Sequence, residues 1–288
     1  GTDAPAYDWA HLDTGLDVLV ENKLLPFFEL MGNPSGYFTD FTDDTQLHAW
    51  RRLVSDLAAH VIERYGQEAV REWYFETWNE PDIPFWKFGD EGFLNYYDAC
   101  SEGLKAVDPE LRFGGPGTAK TLSPLFKKLL AHCDTGTNYF TGETGVRLDF
   151  ISVHEKGVRN HKEDLTPDSQ GITDREAGAI AYIREHHPRF TDTPFMNNEC
   201  DPQTGWEDIH TWRGKPYYAA IACKIIDQHI RSLIDDMGVN YALLSNDNGF
   251  LGKWGQRGLL ARFGGNPLAR GQAEHETVLE ARDDPFEF

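Results

Sequence analysis

Short apolar runs alternate with longer amphipathic stretches through this sequence, and that alternation limits the possible folds more than any other feature. LLPFFEL at 24–30, EWYFETWNEP at 72–81, RFGGPG at 112–117, LDFISVHE at 148–155, PFMNNE at 194–199 and YALLSND at 241–247 read as strands. The spacing of apolar residues predicts helices over 8–22, 44–65, 91–107, 123–132, 173–187 and 216–236. The clearest is 44–65, where Trp50, Leu53, Leu57 and Val61 share a face. Apolar strands joined by crossover helices build a parallel sheet covered by helices. Polar residues gather where the strands end: Asn79 and Glu80, His154, Glu199, and Asp247. In a (β/α)8 barrel the active site occupies that end. The expectation is therefore an α/β fold, a TIM (β/α)8 barrel of which these 288 residues hold about six of the eight strands. The barrel is assigned to residues 1–265. Residues 266–288, charged and weakly periodic, are read as a divergent C-terminal tail.

Competing folds lack their signatures. No strand is followed by a G-x-G-x-x-G or Walker sequence, and the glycines of RFGGPG have the wrong spacing. A formal charge of −20 argues against nucleic acid, whose phosphates need a basic face. It also opposes a polyanionic substrate at neutral pH, less so in acid, where the 11 histidines and some carboxylates take up protons. Cys100, Cys133, Cys200 and Cys223 form no C-x-x-C pair and are expected to sit in the core as small apolar side chains. No run of eighteen or more apolar residues appears, so no membrane span is expected. The N-terminal residues carry no basic and apolar leader pattern, and a chain beginning with Gly reads as processed or as a fragment. Asn33-Pro34-Ser35 is excluded as a glycan acceptor by its proline.

Two glutamates stand out by position. Glu80 sits between Trp78-Asn79 and Pro81, which ends the strand, and Glu199 closes PFMNNE. Their separation corresponds to about three βα units, which puts them three strands apart around the ring, facing one mouth. Glycoside cleavage uses two such carboxyls: one protonates the leaving oxygen, and the other attacks the anomeric carbon or activates a water, according to their distance. That chemistry needs no metal or organic cofactor, and none is implied. Position alone leaves both glutamates open to being ordinary loop acids. Lys156 by itself reads as a surface lysine, and Arg257 as a salt-bridge partner.

The string W-N-E-P at 78–81 resembles the acid/base motif of the large clan of barrel glycosidases. FETWNEPD (75–82) and GFLNYYDACSEGLKAVDPELRFGGPG (92–117) resemble glycoside hydrolase family 39, and within it the animal-type branch that cleaves α-L-iduronides. NYFTGETGVRLDFISVH (138–154), NNECDPQTGW (197–206), YALLSNDNGF (241–250) and QRGLLARF (256–263) agree. The likeness runs over about residues 7–264 and fades after 265.

The resemblance implies a retaining hydrolase in which Glu80 is the acid/base and Glu199 the nucleophile. It implies that Asn79 holds a sugar hydroxyl and that His154 stands at the mouth, as wall or sugar contact. Asp247 would bind hydroxyls, while Lys156, Arg257 and the Gly205–Trp206 loop would meet the uronate carboxylate, a charge that xylose lacks. The implied substrate is terminal α-L-iduronic acid on glycosaminoglycans such as dermatan and heparan sulfate, and the implied location is lysosomal or secreted. A β-xylosidase of the same family and a catalytically silent carbohydrate-binding relative remain open as alternatives. Glu80 must be protonated to act as an acid, so burial or the charge of Glu199 is expected to raise its pKa. The family's opening strand–helix–strand unit, a substrate-contacting histidine on it, the closing helix and the β-rich C-terminal domains are not recognisable in this sequence. A chain with two unpaired sheet edges is expected to be unstable or inactive when made alone.

Overall fold

In the computed structural model, residues 7–33, 35–158, 167–204 and 216–246 are described, together with the backbones of two short strands, Leu260–Arg262 and Leu279–Ala281. Six parallel strands form one sheet whose spatial order equals their sequence order. They are β1 (Phe27–Glu29), β2 (Tyr74–Glu76), β3 (Arg112–Thr118), β4 (Ile151–Val153), β5 (Phe195–Asn197) and β6 (Tyr241–Leu244). The sheet curls into a partial barrel with helices outside, as the strand–helix alternation implies. Among the described residues β1 and β6 each pair on one side only. The two remaining strands, β7 (Leu260–Arg262) and β8 (Leu279–Ala281), pair antiparallel with one another. Apart from the backbone of β8, the 266–288 tail lies outside the described residues.

The helices are α1 (Ala10–Glu21), α2 (Asp44–Tyr65), α3 (Gln67–Arg71), α4 (Gly89–Lys105), α5 (Pro124–Thr135), α6 (Ser169–His186) and α7 (Pro216–His229). Their ends follow from local chemistry. The Asp43 carboxylate accepts from the Gln46 N–H at 2.9 Å to start α2, and Gly66, at φ 89°, ends it. Ser123 and Asp168 cap α5 and α6 in the same way, with Pro124 preset for the first turn of α5. The short α3 directly after Gly66 has no periodicity long enough to be seen in sequence. From Ile230 to Asp236 the chain continues α7 with π-type turns.

The buried face of α2 is Leu47, Trp50, Val54, Leu57, Ala58 and Val61, with Leu53 half-buried at its margin. It lies against α4, and the Trp50 indole N–H donates to the Cys100 sulfur at 3.1 Å. The helices approach closely at Gly103, where a Cβ would meet the Arg51 carbonyl oxygen at 2.7 Å; alanine there would force the pair apart. Cys100, Cys133 and Cys200 are buried as expected, but Cys223 is exposed. The apolar stripe of α7 is Tyr218, Ile221 and Ile225, leading to His229, and position 223 falls on the opposite side of a 3.6-residue helix.

Under α6 and α7 lies a buried polar cluster. Glu176 is fully buried and accepts from Asn197 at 2.6 Å and from the Tyr241 hydroxyl at 2.8 Å. His229 Nε2 lies 3.2 Å from Glu176, while Nδ1 faces the Ile225 carbonyl at 2.7 Å. Burial disfavours a charged imidazole, yet the bond and charge of Glu176 prevail and raise the His229 pKa. A raised folded-state pKa stabilises most below the unfolded value of about 6.5, and that contribution disappears as pH rises through the folded value. Glu176→Gln is therefore expected to lower stability by about 3–5 kcal/mol at acidic pH, because it strands a buried cation. The penalty should shrink as pH rises past neutrality. Melting temperatures of both forms across the pH range test this, and a pH-independent difference would overturn it.

Candidate active site

The inner face of the sheet is built in layers. Residues two apart on a strand share a face. Phe27 and Tyr74 therefore stack at 5.5 Å and meet Phe150 edge-on, forming an aromatic floor. One step further along, the register pairs Glu29 with Glu76. Beyond them, at the C-terminal ends of β2, β4 and β5, stand Glu80, His154 with Lys156, and Glu199. The sequence reading placed its two glutamates three strands apart at one mouth, and β2 and β5 are so related.

Glu80 has φ 43°, a left-handed conformation that a non-glycine residue adopts at a cost of about 1–3 kcal/mol. Its backbone is held there by the Glu80 N–H donating to the Gly117 carbonyl at 3.0 Å. That carbonyl is available because the β3–β4 register shifts between Pro116 and Thr118. Proline at 81 and the bulge at 117 together turn the Glu80 side chain toward β4. Its Oε1 lies 3.3 Å from His154 Nδ1 and 3.3 Å from Lys156 Nζ. Lys156 also donates to Glu199 Oε2, and His154 Nδ1 is 3.5 Å from that same oxygen. One carboxylate oxygen from each glutamate thus falls within 4.8 Å of the other, with the imidazole and the ammonium between them.

Lys156 is buried, with only 4% of its surface exposed, so the surface reading of this residue does not hold. The segment that carries it is pinned from α6. Arg175 donates to the Lys156 carbonyl at 2.7 Å and to Glu155 Oε1 at 2.7 Å, and Glu155 in turn accepts from the Thr121 hydroxyl. His154 has no exposed surface, and its backbone N–H bonds the Thr118 carbonyl. The Asn79 side-chain amide oxygen is buried and has no hydrogen-bond partner among the described residues. Gly205, Trp206, Asp247 and Arg257 lie outside the described residues.

The electrostatics differ from expectation at Glu80. Burial pushes its pKa up, but the hydrogen bond from His154 and the charge of Lys156 outweigh it, and the carboxyl ends below its ordinary value. The expected rise rested on burial or the charge of Glu199; burial does push upward, but His154 and Lys156, at 3.3 Å, outweigh it. His154 shows the reverse balance: burial lowers its pKa, while the bond to Glu80 and the charges of Glu199 and Glu76 raise it above the usual histidine value. Among the described residues, two trios bring three donor atoms within 4.8 Å and could offer them to a metal: Glu29, Glu76 and His154, and Glu80, His154 and Glu199. In the first, the charge opposing the carboxylates is supplied by His154, and in the second by His154 and Lys156.

Sequence reasoning passed over Glu29, Glu76, Asn198 and Arg175. Both glutamates carried a visible signal, an acid inside an otherwise apolar strand. Arg175 carried none, since a helical arginine is ordinarily solvated.

The profile of Glycosyl hydrolases family 39 matches residues 2–269. The α-L-iduronidase of Homo sapiens is 49% identical over 270 residues, covering 90% of this chain and 40% of the human protein. A bacterial orthologue of human α-L-iduronidase, known as a crystal structure, superposes with a TM-score of 0.87 at 51% identity, covering 92% of this chain and 44% of that one. The β-xylosidase of Caldicellulosiruptor saccharolyticus is 30% identical over 238 residues, covering 77% of this chain and 46% of the enzyme. The chain thus spans about two-fifths of the iduronidases it matches. A match over nearly its whole length, joined to a partial barrel with paired glutamates at its mouth, places the chain in glycosyl hydrolase family 39.

Proposed function

We propose that this chain forms the catalytic core of a retaining glycosidase that releases terminal α-L-iduronic acid from glycosaminoglycans such as dermatan and heparan sulfate. The observation that carries the reading is the approach of Glu80 and Glu199 oxygens to within 4.8 Å. Retaining pairs stand about 5–5.5 Å apart, whereas inverting pairs need roughly 6.5–9.5 Å to admit a water. In the first step Glu199 attacks the anomeric carbon as the glycosidic bond breaks, and the leaving oxygen takes the Glu80 proton. In the second, Glu80 takes a proton from water, whose oxygen attacks the anomeric carbon and releases Glu199. Two displacements preserve the configuration.

The substrate class follows from charge and kinship. The human and bacterial relatives at about half identity are iduronidases. Lys156, buried between the two glutamates, is a cation that an iduronate carboxylate would engage and a neutral xylose would not. That engagement also answers the low pKa of Glu80: an anionic sugar drawing Lys156 to itself weakens the ammonium's hold on Glu80 and returns its proton affinity. Arg257, Gly205 and Trp206 complete the carboxylate site in this proposal, and Asn79, His154 and Asp247 bind hydroxyls. A lysosomal or secreted location belongs to the same proposal and rests on the iduronidase likeness alone.

The test is turnover by the intact protein of fluorogenic α-L-iduronide and β-xyloside at about pH 4–5, near ordinary carboxylate pKa values. Iduronide hydrolysis with at least roughly hundredfold preference over the xyloside is expected, the scale on which a buried charge left unpaired discriminates. Turnover of the xyloside alone would assign the chain to the xylosidase branch, and turnover of neither would indicate a silent relative.

A further inference from the structure

Beneath the catalytic pair, the mechanism above leaves two acids unused, Glu76, which is buried, and Glu29, which is half-buried. Glu76 is fully buried on the inner face of β2, its Oε2 accepting from Asn198 at 2.8 Å. Its Oε1 has no hydrogen-bond partner among the described residues, and neither does His154 Nε2. These two atoms converge on one point above Gly117: a Cβ built there would lie 3.2 Å from Glu76 Oε1 and 3.5 Å from His154 Nε2. Gly117, at φ 57° in the bulge of β3, leaves that approach open. Glu29, next to Glu76 in the register, brings a carboxylate oxygen within 4.8 Å of one from Glu76 and of a ring nitrogen of His154. His154 therefore stands between two acidic pairs. Nδ1 faces Glu80 and Glu199 above, and Nε2 faces Glu76 and Glu29 below.

We propose that Glu76, backed by Glu29, is a positioning residue of the glycosidase site, holding His154 as a fixed imidazolium that supports the ionised forms of Glu80 and Glu199. The proposal deepens the glycosidase reading and rests on it for its kinetic consequences, though not for the ionisation of His154. Among the described residues, the charged groups facing His154 are Glu29 from β1, Glu76 and Glu80 from β2 and its following loop, Glu199 after β5, and Lys156 from its own segment. Four carboxyls face one ammonium, so a second cation between them lowers the energy of the set. Those acids need not all be charged together. Burial and then the neighbouring Glu76 charge push the Glu29 pKa to about 7, and burial raises that of Glu76. Glu29 is thus largely protonated below neutrality, as closely spaced carboxyls do not both ionise readily.

Glu76→Gln keeps the size and the acceptor for Asn198 but removes the charge. With less positive charge on His154, both catalytic carboxyls lose support for their ionised forms. In the intact protein, both limbs of the kcat/KM profile should then move to higher pH by roughly half a unit or more. The value of kcat should fall on the order of tenfold, with KM nearly unchanged. Glu76→Asp, which keeps the charge, should restore the wild-type limbs. A purely structural role would lower melting temperature or activity without moving the limbs. The second readout is the titration of His154 in protein labelled with ¹³C-histidine, its resonance identified by its loss in His154→Gln. In the wild type the midpoint should lie above the ordinary histidine value of about 6.5, and in Glu76→Gln it should fall. A wild-type midpoint at or below the ordinary value, or one unchanged in Glu76→Gln, overturns the proposal even if the variant's activity is lost through misfolding. Failure of the wild type to cleave either the iduronide or the xyloside would instead overturn the glycosidase reading, with the titration still deciding the charge network.

Discussion

Glu199→Ala in the intact protein is expected to reduce iduronide hydrolysis by on the order of 10⁴–10⁶-fold, the range seen when an enzyme loses its nucleophile. Two effects compound. Without the carboxylate no glycosyl ester forms, and the reaction loses the route that divides one difficult substitution into two easier ones. The substitution also removes the oxygen to which Lys156 and His154 are bound. Both cations then bear on Glu80 alone, deepening the pKa depression they already impose, so the acid is less often protonated when the substrate arrives. The check is steady-state hydrolysis of the α-L-iduronide, with NMR of the first-formed product in the wild type showing retained configuration. Residual activity above about 1% would remove Glu199 from the nucleophile's role, since a nucleophile cannot be dispensed with so cheaply. First-formed inverted product would remove the two-step mechanism altogether.

The fold was legible because its signal is repeated. Six apolar runs and the helices between them each report the same architecture, and α2 falls on the residues its periodicity marked. The layer of the proposed site was legible for a related reason: a strand's C-terminal end is a place the sequence can name, and Glu80, His154 and Glu199 each follow an apolar run. The charge balance was not legible. Whether burial or a cation governs Glu80 depends on a few ångströms, and the 3.3 Å approaches of His154 and Lys156 come from segments more than seventy residues away. Glu29 and Glu76 were hidden differently. Their inward orientation follows from period-two alternation, but their facing each other follows from the β1–β2 register, which sequence does not fix. Cys223 shows the limit on the other side: its exposure was available from the spacing of Tyr218, Ile221 and Ile225, and treating all cysteines as core residues overrode that local signal.

Glu80→Ala should separate the two halves of the reaction, because in the proposed mechanism Glu80 serves each in a different protonation state. For a glycosaminoglycan, whose leaving sugar alcohol needs a proton, glycosylation of Glu199 is expected to slow by about 10²–10⁴-fold, the usual contribution of general acid–base catalysis. For an aryl iduronide with an acidic phenol, departure needs little help and the first step should proceed at near the wild-type rate. The second step still lacks its base. The glycosyl-enzyme should therefore accumulate, visible as a burst of phenol equal to the enzyme concentration followed by slow turnover and an apparent KM well below that of the wild type. A small anionic nucleophile such as azide needs no base. It should attack the anomeric carbon of the glycosyl-enzyme through the space vacated by the Glu80 side chain, displacing the Glu199 carboxylate, restore turnover of the aryl substrate, and leave a glycosyl azide of retained configuration. Azide would give no rescue if Glu80 only shaped the pocket, because the slow step would then not be a missing proton transfer. Rescue with inversion would place the azide on the opposite face of the sugar and exchange the roles assigned to Glu80 and Glu199.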